Sequence, residues 1–380
     1  MLLLTSVVVL LSLVYSIGTG EDDAPLTVPL VLVMSAGVSG ALLTADLFNL
    51  FVFVEVMLVP SYVLLALGRE RQRVAGSRLY VTVNLLASTM FLAGTGLLYG
   101  VTGTVQLGEL AGVAAAGTPA ALAAGVAMLA MAVKSAVVPF HSWLPGSYAV
   151  AGPAVTVLFS GLLTKVGLYV LFRLYAVLFD RDPDLRWLLL TAAVLTMVVG
   201  VLAAVGEHSV RRVLLSHMVS QIGYVLVGLG LATLAGFTAA LFFLVQYVLV
   251  KAGLFMVGGA LRTRYGTDTL DRLGGLARGE RVLAVAFGGC ALALVGIPPT
   301  SGFVGKLQLA SATVAAGAWW VTAALLGVSL ITLVSMLKVW NRVFWVPPDD
   351  GVPERIAEAG PADEAGQTDE AGQAGPAGSG

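Results

Sequence analysis

The stretch MLAMAVKSAVVPFHSWLP, residues 128–145, decides how the rest of the chain is read. It sets Lys134 in an apolar run, and five residues later Pro139 removes a backbone donor, so a helix through this stretch must kink or unwind. Inside a bilayer such a break is tolerated only where protein or a watery cavity satisfies the loosened backbone. A charge beside the break is expensive there, and its default reading is an ion or proton path. A lysine that snorkels to the headgroups is the competing reading.

The surrounding sequence places this stretch in a membrane. Of 380 residues, 58% are hydrophobic and only 11% charged, against about 25% charged in a soluble domain; mean hydropathy is +0.93. Eleven apolar runs of about membrane-spanning length fall at roughly 1–17, 26–44, 46–67, 78–99, 119–140, 153–178, 186–205, 209–231, 236–261, 282–315 and 318–345. The tenth is interrupted by IPPTSGF, residues 297–303, where Pro298 and Pro299 make a second broken helix. The first run has no charged leader or cleavage site, so it reads as a spanning helix and not a signal peptide. The expected fold is all-α and integral to the membrane over residues 1–345. A tail at 346–380 follows; its residues 349–380 carry eight carboxylates and one arginine, Arg355, and read as disordered.

Arginine placement orients the chain. Loops after the odd-numbered runs hold Arg69, Arg71, Arg73, Arg78, Arg211, Arg212, Arg262, Arg264, Arg272, Arg278, Arg281 and Arg342, whereas the opposite loops hold only Arg181 and Arg186. Positive loops stay inside, so the N-terminus is expected outside and the acidic tail in the cytoplasm of a cell with this protein in its inner or plasma membrane. Glu21, Asp22 and Asp23 share the inner side, where acids weigh little.

Several functions are excluded. A net charge of −1 with no basic run gives no nucleic-acid surface. One cysteine, Cys290, and three histidines cannot hold an iron–sulfur cluster, and neither a phosphate-binding loop nor a dinucleotide fingerprint is present. No cofactor and no metal site are expected, and this chain by itself shows no site for redox chemistry or nucleotide hydrolysis.

The ionisable residues within apolar runs are Glu55, Lys134, Lys165, Arg173, His217, Lys251, Lys306 and Lys338. Glu55 lies near the middle of its run, where a lone charge costs roughly 2.5–3.5 kcal/mol on insertion scales. It must carry a proton or face a cation, and Lys134 is the candidate partner; a purely structural ion pair is the alternative. His217, Gln221 and Tyr224 are spaced four and three apart and share one helical face, suited to proton transfer or to hydrogen-bonded packing. Gln246, Tyr247 and Lys251 repeat that arrangement, and Ser160, Thr164 and Lys165 make another polar stripe.

Setting runs two to six over runs seven to eleven gives two five-helix repeats, about 26–178 and 186–345, each with one broken helix. Glu55 then matches His217, Lys134 matches Lys306, and Lys165 matches Lys338. Five is odd, so the halves are inverted across the membrane, an architecture of ion transporters.

The pieces DLFNLFVFVEVMLVPSYVLLALG, VKSAVVPFHSWLP, FSGLLTKVGLYVLFR, LLSHMVSQIGYVLVG, VKAGLFMVGGAL and GIPPTSGFVGKLQLA, spread over residues 40–345, resemble one family in order and content. It is the antiporter-like membrane subunits shared by respiratory complex I and the multisubunit Na⁺/H⁺ (Mrp-type) antiporters. The FNLFVFVE run, GIPPTSGFVGK and a lysine at Lys306 resemble the Mrp-type antiporter branch most. The resemblance implies that Glu55 is the essential glutamate paired with Lys134 and that Lys165 receives the proton centrally. His217 and Lys251 continue a polar axis, and Lys306 ends the second half-channel. Lys338 rests on the repeat alone. The implied function is proton translocation in a hetero-oligomeric cation/proton antiporter, with other antiporter subunits, protons and Na⁺ as partners. A proton-pumping subunit of an NADH–quinone oxidoreductase or related hydrogenase and an inactive scaffold are the rivals. The family has about fourteen helices and this chain eleven, which implies two fewer at the front and one fewer at the back. Histidine is also common shortly before the position of Lys251, where this chain has Gln246 and Tyr247.

Overall fold

The computed structural model describes residues 1–21, 24–67 and 71–347. The expected acidic tail, with Arg355, and the loop residues Asp22, Asp23 and Arg69 lie outside the described residues. Among the described residues fourteen α-helices follow one another: α1 (Leu2–Thr19), α2 (Thr27–Leu43), α3 (Leu47–Ala66), α4 (Arg71–Thr102), the single turn α5 (Val113–Ala116), α6 (Thr118–Lys134) and α7 (Trp143–Tyr148). Then come α8 (Pro153–Leu178), α9 (Arg186–Gly206), α10 (Val210–Leu231), α11 (Leu234–Tyr265), α12 (Arg281–Val295), α13 (Ser301–Ala315) and α14 (Trp319–Trp340). Among the described residues, eight helices are long and apolar enough to cross a membrane. Of three shorter apolar helices, α6 and α12 are the first arms of the broken helices and α2 is 17 residues long.

The two halves share a frame. Helices α4 and α11 are both 32 residues long. Each returns to the start of the preceding helix through one antiparallel bridge, Asp46 with Gln106 and Ser209 with Thr269. Two backbone bonds close each clasp: Leu47 N–H to Val105 O and Leu107 N–H to Ala45 O, then Val210 N–H to Asp268 O and Leu270 N–H to His208 O.

The first break starts earlier than Pro139 implied. Helix α6 ends at Lys134, and Ala136 adopts a left-handed backbone with φ 56°. Ala136 N–H bonds Val133 O and Val137 N–H bonds Ala132 O, the double bond of a Schellman ending. The chain is already out of the helix when Pro139 arrives. Gly296, φ 88°, ends α12 in the same way, with Ile297 N–H on Leu292 O. Pro139 and Pro299 each stand three residues after the left-handed residue, so the breaks align. That register sets Lys134 opposite Leu294, not opposite Lys306 as the sequence spacing suggested.

Helix α10 is buried along nearly its whole length, α8 almost as completely, while α1, α9 and α14 expose most of their apolar surface. Leucines such as Leu3, Leu10, Leu202, Leu234 and Leu330 point outward, which suits a hydrocarbon surround. Close backbone contact seats α9 on α10: a Cβ on Gly200 would fall 2.3 Å from Ser220 N, and one on Gly223 2.6 Å from Ala193 O. Gly200→Val is therefore expected to cost about 1–3 kcal/mol through overpacking, read as a lower thermal midpoint of the detergent-purified protein. Gly96→Ala, where the added methyl meets open space, is the control and leaves the midpoint unchanged or higher.

Candidate functional site

The polar groups converge on the breaks and on the two central helices. Trp143 donates its indole N–H to Val133 O at 3.0 Å, and Val138 N–H reaches Thr196 Oγ1 on α9 at 3.2 Å, so protein side chains satisfy backbone that the first break frees. Lys134, the last residue of α6, lies at the negative end of the helix dipole, where a cation is favoured. Its Nζ donates to Ser88 Oγ at 2.7 Å and to Asn84 O at 3.2 Å, both on α4. Ser88 in turn donates to Glu55 Oε1 on α3. The expected partners Glu55 and Lys134 are thus joined through a serine, which stands between the two charges. A cavity of about 10 Å³ touches Lys134 and is lined by Tyr80, Asn84, Met131, Trp143 and Leu163; that is room for about one water molecule.

From the cavity, Leu163, Val166 and Gly167 lead onto α8. Lys165 donates there to Ser160 O and, at 3.1 Å, to Thr164 Oγ1, within its own helix. Its ammonium also sits over the Tyr247 ring, 4.7 Å from the centroid, a cation–π contact. One turn further along α11, Lys251 donates to Leu214 O at 2.7 Å and is fully buried. Tyr247 OH donates to Met218 O at 3.3 Å, beside His217, whose Nε2 meets Ser335 Oγ at 3.0 Å. His217 Nδ1, both ends of the Gln221 amide, Ser220 Oγ and Gln246 Oε1 are buried without a hydrogen-bond partner among the described residues.

At the second break, Lys306 reaches back from α13 to Val295 O, 2.8 Å, at the end of α12, and to Ser329 Oγ, 3.0 Å, on α14. Its ammonium covers the Tyr224 ring at 4.7 Å, and Tyr224 OH bonds Ser329 Oγ and Leu325 O, each at 2.8 Å. Both halves place a lysine at the end of a broken helix, the first from before the break and the second from after it. Arg173 stands apart: it donates to Thr44 O at 2.6 Å and stacks on Tyr169, an anchor for the end of α2.

The family model described as NADH:quinone oxidoreductase/Mrp antiporter, TM, matches residues 44–332. The chain belongs to this family. It is 38% identical over 351 residues to the D-type subunit of the Na⁺/H⁺ antiporter of Alkalihalophilus pseudofirmus, covering 91% of this chain and 71% of that one. A chain in the structure of the Mrp complex from Dietzia sp. DQ12-45-1b superposes with a TM-score of 0.88 at 48% identity, covering 91% of this chain and 65% of that one. A chain of respiratory complex I from Thermus thermophilus gives 0.77 at 29% identity, over 93% and 79%. The chain therefore spans about two thirds of the length of the first two relatives.

In this NADH:quinone oxidoreductase/Mrp antiporter family member, sequence reasoning did not find Ser88, Asn84, Ser329 or Ser335. Serines are ordinary in apolar helices and bond their own backbone, so nothing in spacing marks them. Only the folded frame marks one of them, since the clasps set residue 46 against 209, 106 against 269, and hence Ser88 against Lys251. Lys338 lies elsewhere. It is half-buried and donates to Val205 O and Glu207 O at 2.8 and 2.7 Å, closing the end of α9. The register of the breaks does not set it opposite Lys165. Lys338→Met is expected to cost about 0.5–1 kcal/mol, measured as a lower thermal midpoint, and Lys338→Arg to recover most of it.

Proposed function

We propose that the chain is a proton-translocating membrane subunit of a multisubunit cation/proton antiporter. The observation that carries this reading is the Glu55–Ser88–Lys134 constellation at the first break, continued by Lys165, Lys251, His217, Gln221 and Lys306. The names of the relatives support it, since a Na⁺/H⁺ antiporter of the D type and the Mrp complex stand at 38% and 48% identity, whereas the complex I chain stands at 29%.

Lys134 is held by a carbonyl, a hydroxyl and, through that hydroxyl, a carboxylate. A proton arriving on Lys165, or water entering the break, opposes that attraction and lets Lys134 give up its proton; Glu55 then draws the next one to Lys134. One charge crossing 100 mV is worth about 2.3 kcal/mol, which one rearranged pair at an effective dielectric near 20 supplies. The unpaired amide of Gln221 and Nδ1 of His217 are suited to carry water between Lys251 and Lys306. The chain works beside other subunits in a cell inner or plasma membrane, with the arginine-rich loops and the acidic tail on the cytoplasmic side. Protons are its cargo, and Na⁺ exchange belongs to the assembly.

Everted vesicles from antiporter-deficient cells, carrying this chain with its partner subunits, test the reading through Na⁺-dependent dissipation of ΔpH. Lys134→Ala and Glu55→Gln are each expected to lose at least 90% of the exchange at equal protein level. Wild-type vesicles that show no exchange but acidify on NADH would replace the antiporter with an NADH–quinone oxidoreductase.

A further inference from the structure

The ammonium of Lys134 rests on one turn of α4 and, among the described residues, meets no acid directly. Asn84 and Ser88 are four residues apart on that turn and offer it a carbonyl and a hydroxyl, while the Asn84 amide turns back to Tyr80 O at 3.0 Å. Ser88 and Lys134 are both buried. A hydroxyl has one hydrogen to give and two lone pairs to accept with. Ser88 uses both functions at once, accepting from Lys134 at 2.7 Å and donating to Glu55.

Two independent features mark the position. The frame shared by α4 and α11 sets Ser88 against Lys251, so this point of the long helix carries a proton-competent group in both halves. At the other break Ser329 joins Lys306 to Tyr224 in the same manner, at 3.0 and 2.8 Å. Each break lysine therefore bonds a serine that in turn bonds a neighbouring polar side chain.

We propose that Ser88 is a hydroxyl relay that passes a proton between Lys134 and Glu55 and sets the coupling of the pair; this rests on the proton-path reading above. One N–H bond of the Lys134 ammonium breaks and its proton joins Ser88 Oγ. The original Ser88 O–H bond breaks, and that proton joins a Glu55 carboxylate oxygen. Lys134 becomes a neutral amine, Glu55 a neutral acid, and Ser88 a hydroxyl that now donates to the amine. An ion pair is exchanged for two uncharged groups with no atom gained or lost, and the reverse step restores it.

The test uses the complete multisubunit complex with Ser88→Ala and Ser88→Thr. One readout is the pH profile of Na⁺-dependent exchange in vesicles. The other is infrared difference titration of the Glu55 carboxyl in purified complex, assigned by its loss in Glu55→Gln. Ser88→Ala is expected to cut exchange at least tenfold and to move the Glu55 protonation midpoint by at least about one pH unit. Ser88→Thr, which keeps the hydroxyl, is expected to exchange within threefold of wild type. Ser88→Ala exchanging within twofold of wild type, or leaving the Glu55 midpoint in place, would overturn the relay. If wild type itself shows no exchange, the antiport reading fails, and the infrared titration alone decides the relay.

Discussion

A helix interrupted inside a bilayer leaves carbonyls and amides that lipid cannot satisfy, and every such group must find a partner in the protein or in a watery cavity. The rest of this structure depends on meeting that demand twice. At the first break the partners are the Trp143 indole and the Thr196 hydroxyl; at the second, the Lys306 ammonium takes the last carbonyl of α12. Thr196 belongs to α9, in the other half of the chain, so the first break is tied to the second repeat. Helices α8 and α10 carry buried lysine, histidine, glutamine and serine, and such residues have no place against lipid. Their position at the centre follows from what they carry.

The two halves reach the same demand by different routes on one frame. From the first clasp residue to the second, Asp46–Gln106 and Ser209–Thr269 stay in step, with the two 32-residue helices between them. The lysines do not keep that register: Lys134 precedes its break, and Lys306 follows it. Both ammonium groups nonetheless lie at the end of the first arm, because a helix C-terminus presents unpaired carbonyls and a negative dipole end. The frame fixes where a cation is favourable, and either arm can supply it.

This difference explains what the sequence disclosed. Charges in apolar runs are rare, so Glu55, Lys134, Lys165, Lys251 and Lys306 were legible one by one, as were the prolines of the two breaks. The first break starts ahead of Pro139 because its left-handed residue, Ala136, stands three residues earlier, where glycine would have announced the turn as Gly296 does. The pairing of Lys134 with Lys306 followed sequence spacing, whereas the clasps and the left-handed residues define the register. Lys338 looked like a repeat partner of Lys165 because it follows Lys306 at nearly the spacing at which Lys165 follows Lys134; its ammonium closes α9 instead. Ser88 and Ser329 were silent because a serine in a helix has its own carbonyls to bond, and only packing shows which one has turned to a neighbour.

What holds the buried lysines also bears on what they can do. Among the described residues, Lys165, Lys251 and Lys306 rest on carbonyls, hydroxyls and ring faces, with no carboxylate in contact. A carbonyl or hydroxyl accepts an N–H from an ammonium and from a neutral amine alike, so such partners leave the charge of the group open. A carboxylate in contact at 4 Å would favour the charged form by about 4 kcal/mol at an effective dielectric near 20, enough to fix it. Of these four lysines only Lys134 has an acid in reach among the described residues, and a hydroxyl separates the two. The pair is therefore linked through Ser88 and is not in direct contact. The remaining lysines share only carbonyl, hydroxyl and ring contacts, the setting on which the proposed proton path rests.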